Sequence, residues 1–405
     1  MDEHFWADAY AQARAPRLHP VLVGFNLNLD RIITVGRELL EAEGFRAGDF
    51  ARLRSHLIHS MEHCTAEEWF VTDPAQYARF TGYFSGTGSI SMGGQAGIAA
   101  LHLARLGVPA VICLAPAMGT ETRQMLEENS VRVPHTPGNN TGHDAVHLVF
   151  EYKPGLVPLA EGAVPRDNRF IASPKKTAEN TILPRDALRS VLPQVAGCTR
   201  AFLSGYQYLQ DEREFLLAAG QIRSIRNRNP AMRVHIECVS VTDTSALTGL
   251  VRHILPVADS AGMNEHELSL LLGHEPEKTP DGLVQGLLEL AEKTGLCRIH
   301  LHTFGYYLLI IRKDRALPDA SRAALLYAAR VVAEAAGGTG TRISPAGIGA
   351  ARQVAEVFGD GIEQGMGSAG DYRILAIPTL IASEITKTAG LGDILSSTAF
   401  VADRF

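Results

Sequence analysis

Cysteine is scarce and unpatterned in this sequence. The five residues Cys64, Cys113, Cys198, Cys238 and Cys297 are odd in number, widely scattered and form no CxxC pair. That excludes a disulfide framework and fits reduced thiols in a cytoplasmic protein. Charge of one sign is lacking too: 38 Lys plus Arg stand against 44 Asp plus Glu, a net charge of -6, so no basic excess marks a nucleic-acid footprint. No apolar run reaches the roughly 18 residues of a membrane span before a charge, Gly or Pro interrupts it. The acidic start Glu3-His4-Phe5-Trp6 has no apolar core of a secretory signal. The glycine-rich stretch Met92-Gly93-Gly94-Gln95-Ala96-Gly97 does not match G-x-G-x-x-G, and no G-x-x-x-x-G-K-[ST] occurs, so a Rossmann dinucleotide site and a Walker P-loop are both unsupported. Repeats and low-complexity tracts are absent as well. What remains is a large globular chain, 46% hydrophobic and 20% charged, long enough for two domains or for one with an insertion.

The stretch Thr388-Ala389-Gly390-Leu391-Gly392-Asp393 opens the last apolar segment, Ile394 to Phe405, whose spacing predicts a helix. Gly390 and Gly392 lack Cβ, which lets a ligand lie close to the backbone. Asp393 is placed as N-cap, and the free amides of a helix mouth attract an anion. A carboxylate beside such an anion site has the parts for phosphoryl transfer, a base for a hydroxyl and donors for the transferred charge. The competing reading is an ordinary capping aspartate, and on this stretch alone it is the better one.

Earlier in the chain, Pro20 to Phe25 reads as a buried strand that runs into Asn26-Leu27-Asn28-Leu29-Asp30. In an extended segment Asn26, Asn28 and Asp30 share one face. They suit hydrogen bonding to a polyol, or equally an Asx-rich turn. Asp49 to Cys64 and Asp73 to Phe84 have helical spacing. Between them the adjacent carboxylates Glu67 and Glu68 read by default as a solvated surface feature. Met92-Gly93-Gly94-Gln95-Ala96-Gly97 opens an apolar helix, and Pro109 to Leu114 follows as a strand. Asn139 to His143 reads as a turn. Ala145 to Tyr152 reads as a strand with His147 as its one polar residue, more often a structural role than a functional one. Lys153 to Thr181 reads as an irregular loop or lid region.

From Arg185 onward helices and strands alternate, which predicts an α/β layered domain with a mostly parallel sheet and ligands at the carboxyl ends of its strands. His235 and Glu237 share one face of a strand, a costly place for an unpaired carboxylate that a hydrated hard cation would offset. Asn264 and Glu267 have the capping-box spacing, so Glu267 has a strong structural reading as a cap.

These pieces recur in one order in a known family. The sequence resembles the ADP-dependent glucokinases and phosphofructokinases, which have the ribokinase-like fold. The stretches that carry the resemblance are Asn26-Leu27-Asn28-Leu29-Asp30, Met92-Gly93-Gly94-Gln95-Ala96-Gly97, Asn168-Arg169-Phe170-Ile171, His235-Ile236-Glu237, Asn264-Glu265-His266-Glu267, His300 to Tyr307, and Gly390-Leu391-Gly392-Asp393. The resemblance implies an α/β ribokinase-like protein with a central mostly parallel sheet flanked by helices and a smaller, discontinuous β-rich lid. Residues 1–26, 91–142 and 183–405 would form the large domain, and 27–90 and 143–182 the lid.

By the same resemblance Asp393 is the catalytic base and the amides of Ala389 to Gly392, including those of Gly390 and Gly392, receive the transferred phosphoryl group. Glu237 and Glu267 would organise Mg²⁺ through its waters. Asn28, Asp30, Gly93, Gly94 and Gln95 would hold the sugar, together with lid residues among Glu67, Glu68 and His147. Arg169, Asn264, His302 and Tyr306 would lie along the nucleotide. The donor would be ADP and the acceptor a sugar, glucose favoured over fructose 6-phosphate. Arg166, Lys175 and Lys176 are the basic residues that could cluster around a sugar phosphate, and Arg31 either pairs with Asp30 or meets such an anion. The protein would be cytoplasmic, a monomer or small homo-oligomer, with no nucleic-acid or membrane partner.

Overall fold

The computed structural model describes residues 3–405 except 66, 135–143, 156, 157, 160, 161, 165, 240–242, 338, 339, 360–364 and 384–389, and leaves aside the side chains of 158, 159, 162 and 163. Two sheets organise the described residues. The larger has nine strands. From its Val111–Leu114 edge it runs through Val21–Gly24, Arg200–Leu203, Arg233–Glu237 and Ser260–Met263 to Arg298–His302, each neighbour pairing in parallel. Three antiparallel strands complete it, Tyr306–Arg312, Tyr372–Pro378 and Met366–Ala369. The parallel strands are buried on both faces, as a sheet covered by helices on both sides requires. Helices Gln95–Arg105, Glu212–Arg228, Pro280–Thr294, Pro318–Ala335, Pro345–Phe358 and Leu391–Ala402 supply that cover. Among the described residues no helix is long and apolar enough to cross a membrane.

The smaller sheet has five strands in the order Glu67–Val71, Asn168–Pro174, Val146–Tyr152, Asn28–Thr34, Ser89–Gly93. Its chain segments are interleaved with those of the large sheet, so it is discontinuous in sequence. One face is apolar: Ile33, Leu148, Phe150, Phe170 and Ala172 are buried against Phe45, Leu53, Leu57, Phe80 and Phe84 of the adjoining helices. Each buried phenylalanine contributes about 2–3 kcal/mol of transfer free energy. The alternate residues of the same strands, Asp30, His147, Arg169 and Ser173 among them, take the opposite face.

The region 153–181, expected as irregular, contains the Asn168–Pro174 strand. Its polar residues alternate with the inward Phe170 and Ala172, a pattern that a half-buried strand produces. The turn expected at Asn139 to His143 lies outside the described residues. The last helix begins earlier than the apolar spacing indicates. Gly390, at φ 72°, is its N-cap and Leu391–Ala402 is the helix, so Asp393 is the third helical residue and not the cap.

Candidate active site

Asn26 follows the Val21–Gly24 strand at its carboxyl end, where the chain leaves the large sheet for the small one. Around it is a buried polar cluster. Asn26 Nδ2 donates to Gln95 Oε1, and Asn28 Nδ2 donates to Asp30 Oδ1 at 2.7 Å. Lys176 Nζ donates to Asn26 Oδ1 at 2.6 Å and to Asn28 Oδ1 at 3.2 Å, and lies over the Tyr208 ring. Gly93 and Gly94 are explained by this cluster. A Cβ on Gly93 would strike Asn28 Nδ2 and Asp30 Oδ1; Gly94, at φ +71°, would strike the Asn26 carbonyl. The space the two glycines leave is filled by the chain's own polar groups.

Burial raises the Asp30 carboxyl to about 6, against the opposing pull of Lys176 and Arg169. Burial also lowers Lys176 to about 8, with Glu68 and Asp30 resisting. The ammonium is therefore still charged at neutral pH. His147 is buried beside them, directly across from Asp30 in the sheet, and its Nε2 has no hydrogen-bond partner among the described residues. Burial, then Lys176, holds its pKa well below the usual value.

The adjacent glutamates separate by strand alternation. Glu67 turns to the helix side and its Oε1 meets His56 Nδ1 at 2.9 Å. Glu68 turns to the cluster: it accepts from Ser173 Oγ at 2.7 Å and lies 4.0 Å from His147 Nδ1. Of the two, only Glu68 faces Asp30, and it is no mere surface feature. A basic cluster of Arg166, Lys175 and Lys176 does not form. Arg166 and Lys176 flank opposite ends of a seven-residue strand, about 20 Å or more apart, and Arg166 and Lys175 are exposed. Arg31 neither pairs with Asp30 nor faces the cleft; its Nη1 donates to the Thr87 carbonyl at 3.1 Å. Ser173 is the cluster member that the sequence does not point to, because the segment around it reads as loop; Lys176 is expected from the sequence only as a partner for a sugar phosphate.

The second group of residues gathers at the mouth of the Leu391–Ala402 helix. Its N-cap, Gly390, makes no side-chain capping bond. Gly390 touches the neighbouring helix so closely that a Cβ would lie 2.9 Å from Ile98 Cδ1, and a Cβ on Gly392 would lie 3.0 Å from His302 Nε2. Ala389 is outside the described residues. One turn into the helix, Ser396 donates to Glu237. Glu237 Oε2 also receives His235 Nε2 at 3.0 Å. Gly262, on the neighbouring strand, makes room for all three: a Cβ there would collide with Glu237 Oε2 and lie 2.7 Å from Ser396 Oγ and 2.9 Å from His235 Nε2.

Burial raises the Glu237 carboxyl well above its ordinary value, and the charges of Asp393 and Glu267 push the same way. His235 is buried and held neutral by desolvation, so its contact with Glu237 is a hydrogen bond and not an ion pair. Glu267 and Asn264 form the expected capping box, with Asn264 N donating to Glu267 Oε2 and Glu267 N to Asn264 Oδ1, both at 2.9 Å. His302 and Tyr306 flank the next turn. Burial keeps His302 neutral, at about 4, and raises Tyr306 to about 12.

Both groups reach the first turns of one helix. The Asn26 cluster sits at Gly94 and Gln95, the start of the Gln95–Arg105 helix, and Gly390 touches Ile98 one turn further along. That is a separation of roughly 5 Å along the helix axis. From the Val21–Gly24 strand end to that of Arg298–His302 there are four strand gaps, about 19 Å at ordinary sheet spacing. Asn26, Glu237, Asn264 and His302 stand in that order along the carboxyl edge. A cavity of about 440 Å³ beside the Asn26 cluster is lined by Asn26, Tyr77, Val146, Lys175 and Lys176, but not by Asp30, Glu68, Glu237 or Asp393. Among the described residues no three His, Cys, Asp or Glu side chains close on one point that would hold a metal directly. Three mutually repelling carboxylates at one helix mouth instead fit a cation held through water.

The conserved region of the ADP-specific Phosphofructokinase/Glucokinase family matches residues 19–402. An ADP-dependent glucose/glucosamine kinase of Pyrococcus furiosus is 28% identical over 98% of this chain and 98% of its own. An ADP-specific phosphofructokinase of Methanosarcina acetivorans is 26% identical over 92% of this chain and 86% of its own. Among solved structures, the last common ancestor of ADP-dependent phosphofructokinases from Methanosarcinales has a TM-score of 0.80 at 23% identity. That match covers 99% of this chain and 98% of that one, a likeness of fold.

Proposed function

The chain belongs to the family of ADP-specific phosphofructokinases and glucokinases and is an ADP-dependent sugar kinase; from that premise we propose that its acceptor is glucose, converted to glucose 6-phosphate as ADP becomes AMP. The smaller sheet then serves as the lid over the sugar. Asn28, Asp30, Glu68 and His147, whose Nε2 lacks a partner among the described residues, bind the hydroxyls, with Gln95 bracing Asn26 behind them. The observation that carries this reading is the meeting of the two residue groups on the first turn of the Gln95–Arg105 helix.

The sugar hydroxyl oxygen attacks the β-phosphorus of ADP, the bond from that phosphorus to the bridging oxygen breaks, and AMP leaves. Asp393 takes the hydroxyl proton late in the attack, and the amides of Leu391 and Gly392, with the helix dipole behind them, receive the transferred charge. Arg169, Asn264, His302 and Tyr306 lie along the nucleotide. Glu237 and Glu267 are the residues that would hold Mg²⁺ through its waters, and that ion would neutralise phosphate charge during the transfer. The protein would act in the cytoplasm on small molecules, as a monomer or small homo-oligomer.

Glucose is favoured by Glu68, a carboxylate acceptor for sugar hydroxyls facing Asp30, and by the distance of Arg166 from Lys175 and Lys176. One observation supports fructose 6-phosphate as the second reading: the Lys176 ammonium, buried in the same cluster and charged. A matrix of ADP and ATP against glucose, fructose 6-phosphate and other sugars, read by AMP formation, decides between them. The expected result is a kcat/KM for glucose at least about tenfold above that for fructose 6-phosphate, or 1.4 kcal/mol of discrimination. Glu68→Gln should raise the KM for glucose and leave that for ADP. Preference for fructose 6-phosphate, abolished by Lys176→Met, would establish the second reading instead.

A further inference from the structure

Three parallel neighbours bring His235, Ser260 and Arg298 into register, each opposite the next across the sheet. Their side chains form one buried chain. Arg298 Nη1 donates to Ser260 Oγ at 3.1 Å, Ser260 Oγ meets His235 Nδ1 at 2.8 Å, and His235 Nε2 meets Glu237 Oε2 at 3.0 Å. A guanidinium only donates, so Ser260 Oγ accepts from it and has its own proton for His235 Nδ1. The arrangement in which every proton finds an acceptor puts the imidazole proton on Nε2, aimed at the carboxylate. The ring is also clamped: Phe202 stacks on one side at 5.2 Å between centroids, and Phe400 lies on the other at 4.8 Å. The outer end of the chain is fixed as firmly, since Arg298 Nε donates to Asp403 Oδ2 at 3.0 Å and Ser321 Oγ donates to Asp403 Oδ1 at 2.8 Å, all fully buried.

We propose that His235 is a positioning residue for Glu237, kept in its Nε2–H tautomer by Ser260 and Arg298 and thereby fixing the carboxylate that organises the cation. The proposal rests on the reading of Glu237 given above. Its consequence is a mechanical link. The Leu391–Ala402 helix carries Asp393 at its mouth, Phe400 against the imidazole, and Asp403 just past its far end. One helix thus sets both the base and the aim of the glutamate, and a shift of either end would disturb both.

Ser260→Ala removes the hydroxyl that holds the tautomer, and Ser260→Thr keeps it. Nitrogen-15 histidine spectra of the native protein, with the His235 signals identified by their loss in His235→Gln, should show Nε2 protonated and Nδ1 bare at neutral pH. In Ser260→Ala the two tautomers should mix, and Ser260→Thr should restore the native spectrum. The Mg²⁺ concentration for half-maximal rate should rise at least about fivefold in Ser260→Ala with the KM for sugar within twofold, and Ser260→Thr should return it. A native His235 protonated on Nδ1 overturns the proposal. So does an unchanged Mg²⁺ requirement in Ser260→Ala when Glu237→Gln raises it. If Glu237→Gln itself leaves that requirement unchanged, the cation reading fails, and the tautomer is then decided by the spectra alone.

Discussion

At neutral pH Asp30 holds its charge in a place that favours the neutral acid. Burial sets its folded pKa at about 6, above the roughly 3.9 of an unfolded aspartate. Between those values the folded protein binds more protons than the unfolded one, so this group's contribution to stability falls as pH rises from about 4 to about 6. Above pH 6 the penalty approaches its full size, on the order of 3 kcal/mol. Asp30→Asn should therefore raise the melting temperature at pH 7.5, with the gain vanishing near pH 4, while the KM for the sugar rises. Thermal melts at the two pH values with parallel kinetics check this; no gain at pH 7.5 would mean that Asp30 is better compensated than its surroundings indicate. The same scale shows what the sequence could resolve. Glu67 and Glu68 are indistinguishable as neighbours in a string, and only pairing of their strand with Asn168–Pro174 assigns Glu68 to the side of Asp30.

At the scale of elements, the start of the last helix was legible but not its register. Gly-Leu-Gly-Asp is compatible with a cap at either Gly390 or Asp393. The left-handed backbone of Gly390 settles it, because that residue turns the chain and leaves Leu391 free to start the helix. Gly390→Ala should cost about 1–2 kcal/mol from the strained φ alone, and the 2.9 Å approach to Ile98 adds to it. Denaturant melts should show that loss together with a large fall in kcat, whereas an unaltered kcat would detach the helix mouth from the reaction. The capping box of Asn264 and Glu267 was legible because both partners sit in local sequence at fixed spacing. The Asn168–Pro174 strand was not: two inward apolar residues, Phe170 and Ala172, are too few to mark a strand before its partners are known. Met366–Ala369 and Tyr372–Pro378 likewise owe their place to pairing with distant strands.

At the scale of the molecule, the alternation of helices and strands after Arg185 correctly gave the class, and the ordered motifs from residue 26 to 393 gave the family. The interleaving of two sheets follows from neither alone, since it depends on which segments cross between them. Asn26 and the Gly93–Gln95 segment are two such crossings. With cluster residues at the crossings, sugar binding should draw the sheets together. Small-angle scattering should give a smaller radius of gyration with glucose and a non-reacting ADP analogue than with either alone or neither; an unchanged radius would mean that the small sheet is a fixed wall and not a lid.

The reaction itself turns on whether the carboxylate at the helix mouth takes the acceptor proton. Single-turnover phosphoryl transfer by Asp393→Ala, alongside calorimetric binding of ADP, measures that directly. Loss of general-base help and of acceptor alignment should lower the rate by at least about a thousandfold, with the Kd for ADP within about threefold of the native value. A variant that turns over within tenfold of the native enzyme would contradict the assignment, and with it the placing of the chemistry at this helix.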